Sequence, residues 1–225
     1  MSIKPILFNT EMVRAILDGR KSCTRRLIKP QPDEKHTYPL GFVNDSTERK
    51  DIGSFGFGTS ELGGSIQYTK PPYQPGDILY VRETWCLRFD GEKYFYKADK
   101  NTSREEKHLL DYDDVRWHPS IHMPKEAARI WLKVMDVRVE RLKDMTNNDA
   151  LKEGAEGVRC DHAGSGAYGC TDCMNTGWLE PPLLEFMGIW NSTIKKSDID
   201  RYGWDANPYV FVIEFVKIDK PKGEN

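Results

Sequence analysis

The hydrophobic pattern of this chain consists of strand-like runs, few and short helical periods, and long polar stretches between them. Ile3 to Phe8 has strand composition. Met12, Val13, Ile16 and Leu17 recur at helical spacing, which predicts a short helix capped by Thr10 and stopped by Gly19. Lys21 to Ile28 leads into a second strand, ended by Pro30 and Pro32. After the turn Pro75-Gly76-Asp77, period two runs from Ile78 to Phe89. Leu79, Val81, Glu83, Trp85 and Leu87 share one face there, and Tyr80, Arg82, Thr84, Cys86 and Arg88 the other. Asp90-Gly91 predicts a hairpin into Lys93 to Ala98.

Arg129 to Arg141 returns to a strand pattern. Thr146 followed by Asp149 predicts a capping-box helix through Glu153, stopped by Gly154. Pro181 and Pro182 open another helix, to about Trp190. Tyr209 to Ile218 is apolar on both faces, as in a buried strand. Residues 31–74, 99–125 and 157–180 lack periodicity and are expected to be insertions, the second with a short helix near Arg104 to Leu110. Short helices among several strands give an α+β chain, with a small closed or half-closed β-barrel as the expected architecture for residues 1–225 as a single domain.

The net charge of −2 argues against a protein that coats nucleic-acid phosphates without specificity. It leaves room for a local basic patch, because Arg14, Arg20, Lys21, Arg25, Arg26 and Lys29 lie close together. No apolar run approaches the roughly 20 residues that cross a bilayer, so no membrane partner is expected. The first ten residues lack the pattern of a signal peptide, and the cysteine count is odd. A reducing, cytoplasmic location is the expectation, with metal ligation or free thiols rather than disulfides. Oligomeric state is not readable from the chain.

Gly19-Arg20-Lys21-Ser22-Cys23-Thr24-Arg25-Arg26 gathers an amine, a hydroxyl and guanidinium groups at one turn-to-strand corner, suited to an anionic or carbonyl-bearing ligand. A solvated basic turn is the competing reading. Glu83 falls on an apolar face, where an unpaired carboxylate is costly. It is expected to meet an arginine in a structural salt bridge or to recognise a ligand. Trp85, Trp117 and Tyr80 are stacking platforms or core rings. His118 and His122 read as loop residues.

With these elements placed, the chain resembles the ASCH domain family, a branch of the PUA-like barrel superfamily. The first block matches the family's G-x-K-x-x-T-x-R signature in full. Pro75 to Val81, the helix Thr146 to Gly154, and Phe211-Val212-Ile213-Glu214-Phe215 follow in the family's order, and Val81 to Trp85 is similar to its larger, often phage-encoded members. The resemblance implies recognition of a nucleobase, modified nucleoside or RNA. One small branch, less than half this length, hydrolyses N4-acetylcytidine with a lysine, a threonine and a glutamate and without metal. Those positions correspond to Lys21, Thr24 and Glu153, with Arg26 at the signature arginine. Arg25, Glu83 and Trp85 are further substrate-binding candidates on their own chemistry. Other members are regarded as RNA- or nucleotide-binding modules, and a phage accessory protein is the third reading.

Such a set makes chemical sense. A threonine hydroxyl needs a base to become a nucleophile, and a lysine serves once burial or neighbouring cations lower its pKa. A carboxylate orients the lysine or water, or returns a proton to the leaving amine. Separately, Cys160, His162, Cys170 and Cys173 offer three thiolates and an imidazole in a glycine-rich loop. Four such ligands close a structural zinc site, and free thiols are the alternative. Cys23 and Cys86 read as small core residues.

Overall fold

The structure is a computed structural model that describes residues 2–87, 93–99, 116–161, 170–174 and 176–221. They are α+β, with short helices among twelve strands, and group into two compact units. The first holds residues 1–22, 75–135 and 215–225; the second holds residues 23–74 and 136–214.

In the first unit, β1 (Ile3–Leu7) runs parallel to β6 (Ile78–Arg82), with Ile6 opposite Val81. β6 is antiparallel to the start of β9 (Trp131–Arg141), with Leu79 opposite Leu132. Between β1 and β6 in sequence comes α1 (Thr10–Leu17), which buries Val13, Ala15 and Ile16. Its cap is Asn9, not Thr10: the Asn9 side chain accepts from the Met12 N–H at 2.8 Å, and Thr10 is already helical. β7 (Trp85–Leu87) and β8 (Tyr94–Tyr96) form a separate hairpin. The expected single strand from Ile78 to Phe89 is therefore two. Alternation holds through the buried Leu79, Val81 and Glu83, then the ladder breaks, and Leu87 is exposed. The Glu83 N–H approaches the Met123 Sδ at 3.2 Å, away from a strand partner. Asp90-Gly91 and the helix expected near Arg104 lie outside the described residues.

In the second unit, β2 (Cys23–Leu27) is antiparallel to β12 (Tyr209–Ile218), with Val212 opposite Arg25 and Ile213 opposite Thr24. β9 is the neighbour of β12 on its other side, and both strands run on into the first unit. One face packs on a cluster that includes α2 (Asn147–Lys152) and α3 (Pro182–Thr193), where Cys23, Val210 and Val212 meet Ala150, Phe186, Trp190 and Trp204. A further short helix, α4 (Ile199–Tyr202), and the two-stranded pair β10 (Val158–Arg159) and β11 (Trp178–Glu180) complete the unit.

Two expectations change. The strand orders are linear among the described residues, so no sheet closes into a barrel; closure requires the edge strands to pair as well. Residues 31–74 are not a loose insertion. They contain an antiparallel sheet of β3 (Tyr38–Phe42), β4 (Phe55–Ser60) and β5 (Gly63–Thr69). The sheet is joined to the unit by Phe57, whose ring meets Tyr209 at 4.9 Å. Gln31 makes a second join. Prolines 30 and 32 offer no N–H, and the Gln31 side chain continues the ladder in their place. It donates to the Ile28 and Tyr209 carbonyls at 2.7 and 2.9 Å and accepts from the Tyr209 N–H at 2.7 Å. Phe57→Ala is accordingly expected to cost about 3 kcal/mol in urea denaturation; a loss below about 0.5 kcal/mol would mean the segment is an appendage.

Candidate functional site

The signature residues lie on both sides of the turn that leaves α1. Gly19 adopts a φ of 74°, and the chain folds back so that the Arg20 and Lys21 N–H groups both bond the Ala15 carbonyl, at 2.8 and 3.0 Å. This is a glycine C-cap, open to a residue without a Cβ. Lys21 belongs to the first unit's opening segment, which ends at Ser22. It is buried, and its ammonium lies 5.4 Å from the centre of the Phe8 ring.

Thr24, Arg25, Arg26 and Glu153 belong to the second unit. Strand alternation puts Thr24 and Arg26 on one face of β2, opposite Ile213 and Phe211, and Arg25 on the other, opposite Val212. Thr24 is buried and Arg26 half-buried. Glu153 is the C-cap of α2. Its N–H bonds the Asp149 and Ala150 carbonyls, and Gly154 turns the chain away with a φ of 91°. The Thr146–Asp149 capping box at the other end fixes where this helix begins and hence where Glu153 falls.

Arg25 ties this region together. Its side chain is 1 % exposed and its two terminal nitrogens reach Glu153 at 3.4 Å and Glu140 at 3.1 Å. Glu140 in turn bonds Arg138, which pairs with Glu214 at 2.6 Å. Positive and negative groups thus alternate along a chain of five side chains. The Arg25 Nε is buried and has no hydrogen-bond partner among the described residues. Arg26 feels burial most strongly, which lowers its pKa from the ordinary value, while Tyr73 and Glu153 act in the opposite direction. The same proximity works on Tyr73, whose hydroxyl burial pushes up and Arg26 pulls down. A guanidinium keeps its charge throughout.

Among the expected site residues, the structure therefore couples Arg25, Arg26 and Glu153. It adds Glu140, Arg138 and Tyr73, which the sequence reading did not single out. The alternating charges of Val137-Arg138-Val139-Glu140-Arg141 were the available signal, since a strand that keeps period two with ionic groups on one face needs opposite charges beside it.

Glu83 and Trp85 sit in the first unit. Glu83, 1 % exposed, holds Arg129 in a two-pronged pair, Nε to Oε1 at 2.9 Å and a second nitrogen to Oε2 at 3.0 Å. Arg129 also pairs with Asp99 at 2.6 Å and lies 3.9 Å above the Tyr96 ring. Trp85 is half-buried, stacked on His118 at 4.9 Å, with Tyr94 edge-on at 5.6 Å.

The three described cysteines of the loop converge. Cys160, Cys170 and Cys173 bring their sulfurs within 4.8 Å of one another, with Cys160 and Cys170 3.7 Å apart. Thiolates around a tetrahedral ion stand about 3.8 Å apart, given sulfur–metal bonds of about 2.3 Å. The trio can hold a metal ion. Burial and then the neighbouring thiols push Cys160 up to about 12, while the Cys173 backbone N–H keeps Cys170 below 9.0. His162, the expected fourth ligand, lies outside the described residues.

No protein-family model, curated protein or solved structure matches the chain. Among the described residues no helix is long and apolar enough to cross a membrane.

Burial raises the Glu83 pKa above 4.5 despite the guanidinium beside it. A carboxyl whose folded pKa is raised favours the fold fully below its unfolded pKa and loses that contribution as pH climbs through the folded value. Arg129→Met, which leaves the carboxylate buried without its cation, is expected to cost about 3 kcal/mol at pH 7. The loss should shrink as pH falls towards 4.5. A pH-independent loss in denaturation curves would show that Glu83 is not the group responsible.

Proposed function

We propose that this is an ASCH-type, PUA-like protein that recognises a nucleobase-bearing ligand and cleaves an N4-acylated cytidine by metal-independent amide hydrolysis. The observation that carries the reading is the burial of Glu153. A carboxylate at a helix C-terminus opposes the macrodipole and normally turns to water. Here its side chain is 3 % exposed and held by a guanidinium, on the short helix that the resemblance aligns with the family's glutamate.

In this reading the Thr24 Oγ attacks the acyl carbonyl and its proton passes to the Lys21 amine. Collapse of the tetrahedral species breaks the bond to N4, which takes a proton and leaves as cytidine. Water then cleaves the acyl-threonine, releasing the acid and restoring the hydroxyl. The reading assigns to Glu153, anchored by Arg25, the return of a proton to the leaving amine, and to Arg26 the stabilisation of the developing oxyanion.

A second reading has its own support. The Arg25–Glu153 pair compensates the carboxylate, as suits a module that binds a nucleoside or RNA without chemistry. An accessory protein that binds another protein is the third class.

Incubation with N4-acetylcytidine, followed by measurement of cytidine and acetate, separates them. Wild-type protein is expected to turn over, and Lys21→Ala and Thr24→Ala to lose at least about 100-fold in kcat/KM while melting normally. Binding without turnover favours the module, and indifference to nucleosides and RNA favours the accessory class.

The cysteine cluster is proposed as a structural zinc site completed by His162. Purified protein should carry roughly one zinc per chain by elemental analysis and lose it in Cys170→Ser. A metal-free protein of unchanged stability would remove the zinc assignment.

A further inference from the structure

The second unit contains a cavity of about 500 Å³ into which two arginines open. Arg141 comes from the end of β9 and Arg201 from α4. The Arg141 guanidinium carbon lies 3.8 Å from the centre of the Tyr209 ring, and the group gives one N–H to the Asn207 carbonyl at 3.0 Å. Its orientation is fixed, and its remaining donors are available, since a guanidinium carries five. The Tyr209 backbone is tied by the Gln31 side chain, and its ring, the wall behind Arg141, packs against the Phe57 ring at 4.9 Å.

Two guanidinium groups, Arg141 and Arg201, and two carboxylates, Asp33 and Glu34, line this cavity, and among the described residues they do not pair with each other. Neither Arg141 nor Arg201 makes an ion pair among the described residues, unlike the buried or half-buried Arg25, Arg129 and Arg138. Asp33 also lines the cavity, but its charge is met locally. It accepts from the His36 Nδ1 at 2.7 Å and from the Lys35 and His36 N–H groups at 2.9 and 3.0 Å, and these bonds hold its carboxyl below its ordinary value, the His36 side chain foremost. Glu34, exposed to solvent, is the other carboxylate of the lining.

We infer that this cavity binds the phosphate group of a small phosphomonoester, gripped between Arg141 and Arg201. A carboxylate is satisfied by one guanidinium fork. A phosphomonoester carries close to two charges at neutral pH and three terminal oxygens, which matches two forks. The cavity exceeds the needs of a bare ion and falls within the range that holds an organic ligand. The inference is independent of the hydrolase reading, because none of its residues takes part in the proposed amide cleavage.

Calorimetric titration at low salt with cytidine 5′-monophosphate, inorganic phosphate and cytidine tests it. The monophosphate is expected to bind and unphosphorylated cytidine not to. Inorganic phosphate should compete, and if it binds as tightly as the monophosphate the free ion is the occupant. Arg141→Met keeps an apolar cover on Tyr209, and Arg201→Met alters only an exposed residue. Each is expected to weaken phosphate binding about tenfold. If Arg141→Met does not fold, Arg201→Met decides alone. Absence of heat from both phosphate probes, equal binding of cytidine and its monophosphate, or unchanged affinity in the folded variants would overturn the inference. Turnover of N4-acetylcytidine should be the same in Arg201→Met, which keeps the two proposals separable.

Discussion

A guanidinium that is 1 % exposed sets the strongest constraint on the second unit. Taking one such ion out of water costs several kcal/mol, and only well-placed opposite charges offset it. Arg25 obtains them from two distant places, Glu140 on β9 and Glu153 at the end of α2. Three consequences follow. The helix must end where it does, since a shift of one residue would swing the carboxylate about 100° round the axis. β9 must present Glu140 on the same side as Arg25. Strand alternation then commits Thr24 and Arg26 to the opposite face of β2, where Arg26 meets Tyr73.

The first unit repeats the device with different parts. Glu83, at the point where the Ile78–Arg82 strand gives way, is compensated by Arg129, and Arg129 is held in turn by Asp99 and the Tyr96 ring. The Tyr96 hydroxyl donates to the Ala127 carbonyl at 2.6 Å, so the ring cannot swing away. In both units a buried charge is surrounded by groups that are themselves tied down, which limits relaxation if one is removed. Arg141 stands apart, being held by the Tyr209 ring and the Asn207 carbonyl yet without an ion-pair partner among the described residues.

Much of the element pattern was legible. Both outer strands of the chain, the capped helix before Glu153 and the helix opened by Pro182 follow from period and cap chemistry. Residues 31–74 were not read as a sheet. β4 alternates phenylalanine with glycine, so its inward rings, Phe55 and Phe57, are buried while its other positions carry the residue least typical of strands. The helix boundary at Asn9 was missed by one position because adjacent asparagine and threonine can both cap, and the structure uses asparagine, the stronger of the two. A closed or half-closed barrel was expected from the mix of strands and short helices, and the linear strand orders among the described residues do not display closure, which depends on edge strands far apart in sequence.

Local chemistry decided the turns, caps, alternation and thiol spacing, because each depends on a few neighbouring residues. Those alone indicated that Glu83 had to be compensated, that Gly19 and Gly154 end helices, and that Cys170 and Cys173 are spaced so that both can reach one metal ion. Which cation met Glu83, which acids met Arg25, and which arginines were left unpaired depended on the tertiary structure. The partners of Arg25 lie 115 and 128 residues away along the chain, and no periodicity carries information over that distance. Pairing of buried charges is settled by whichever groups the packed strands and helices bring within a few ångströms, since only there does attraction exceed the cost of leaving water.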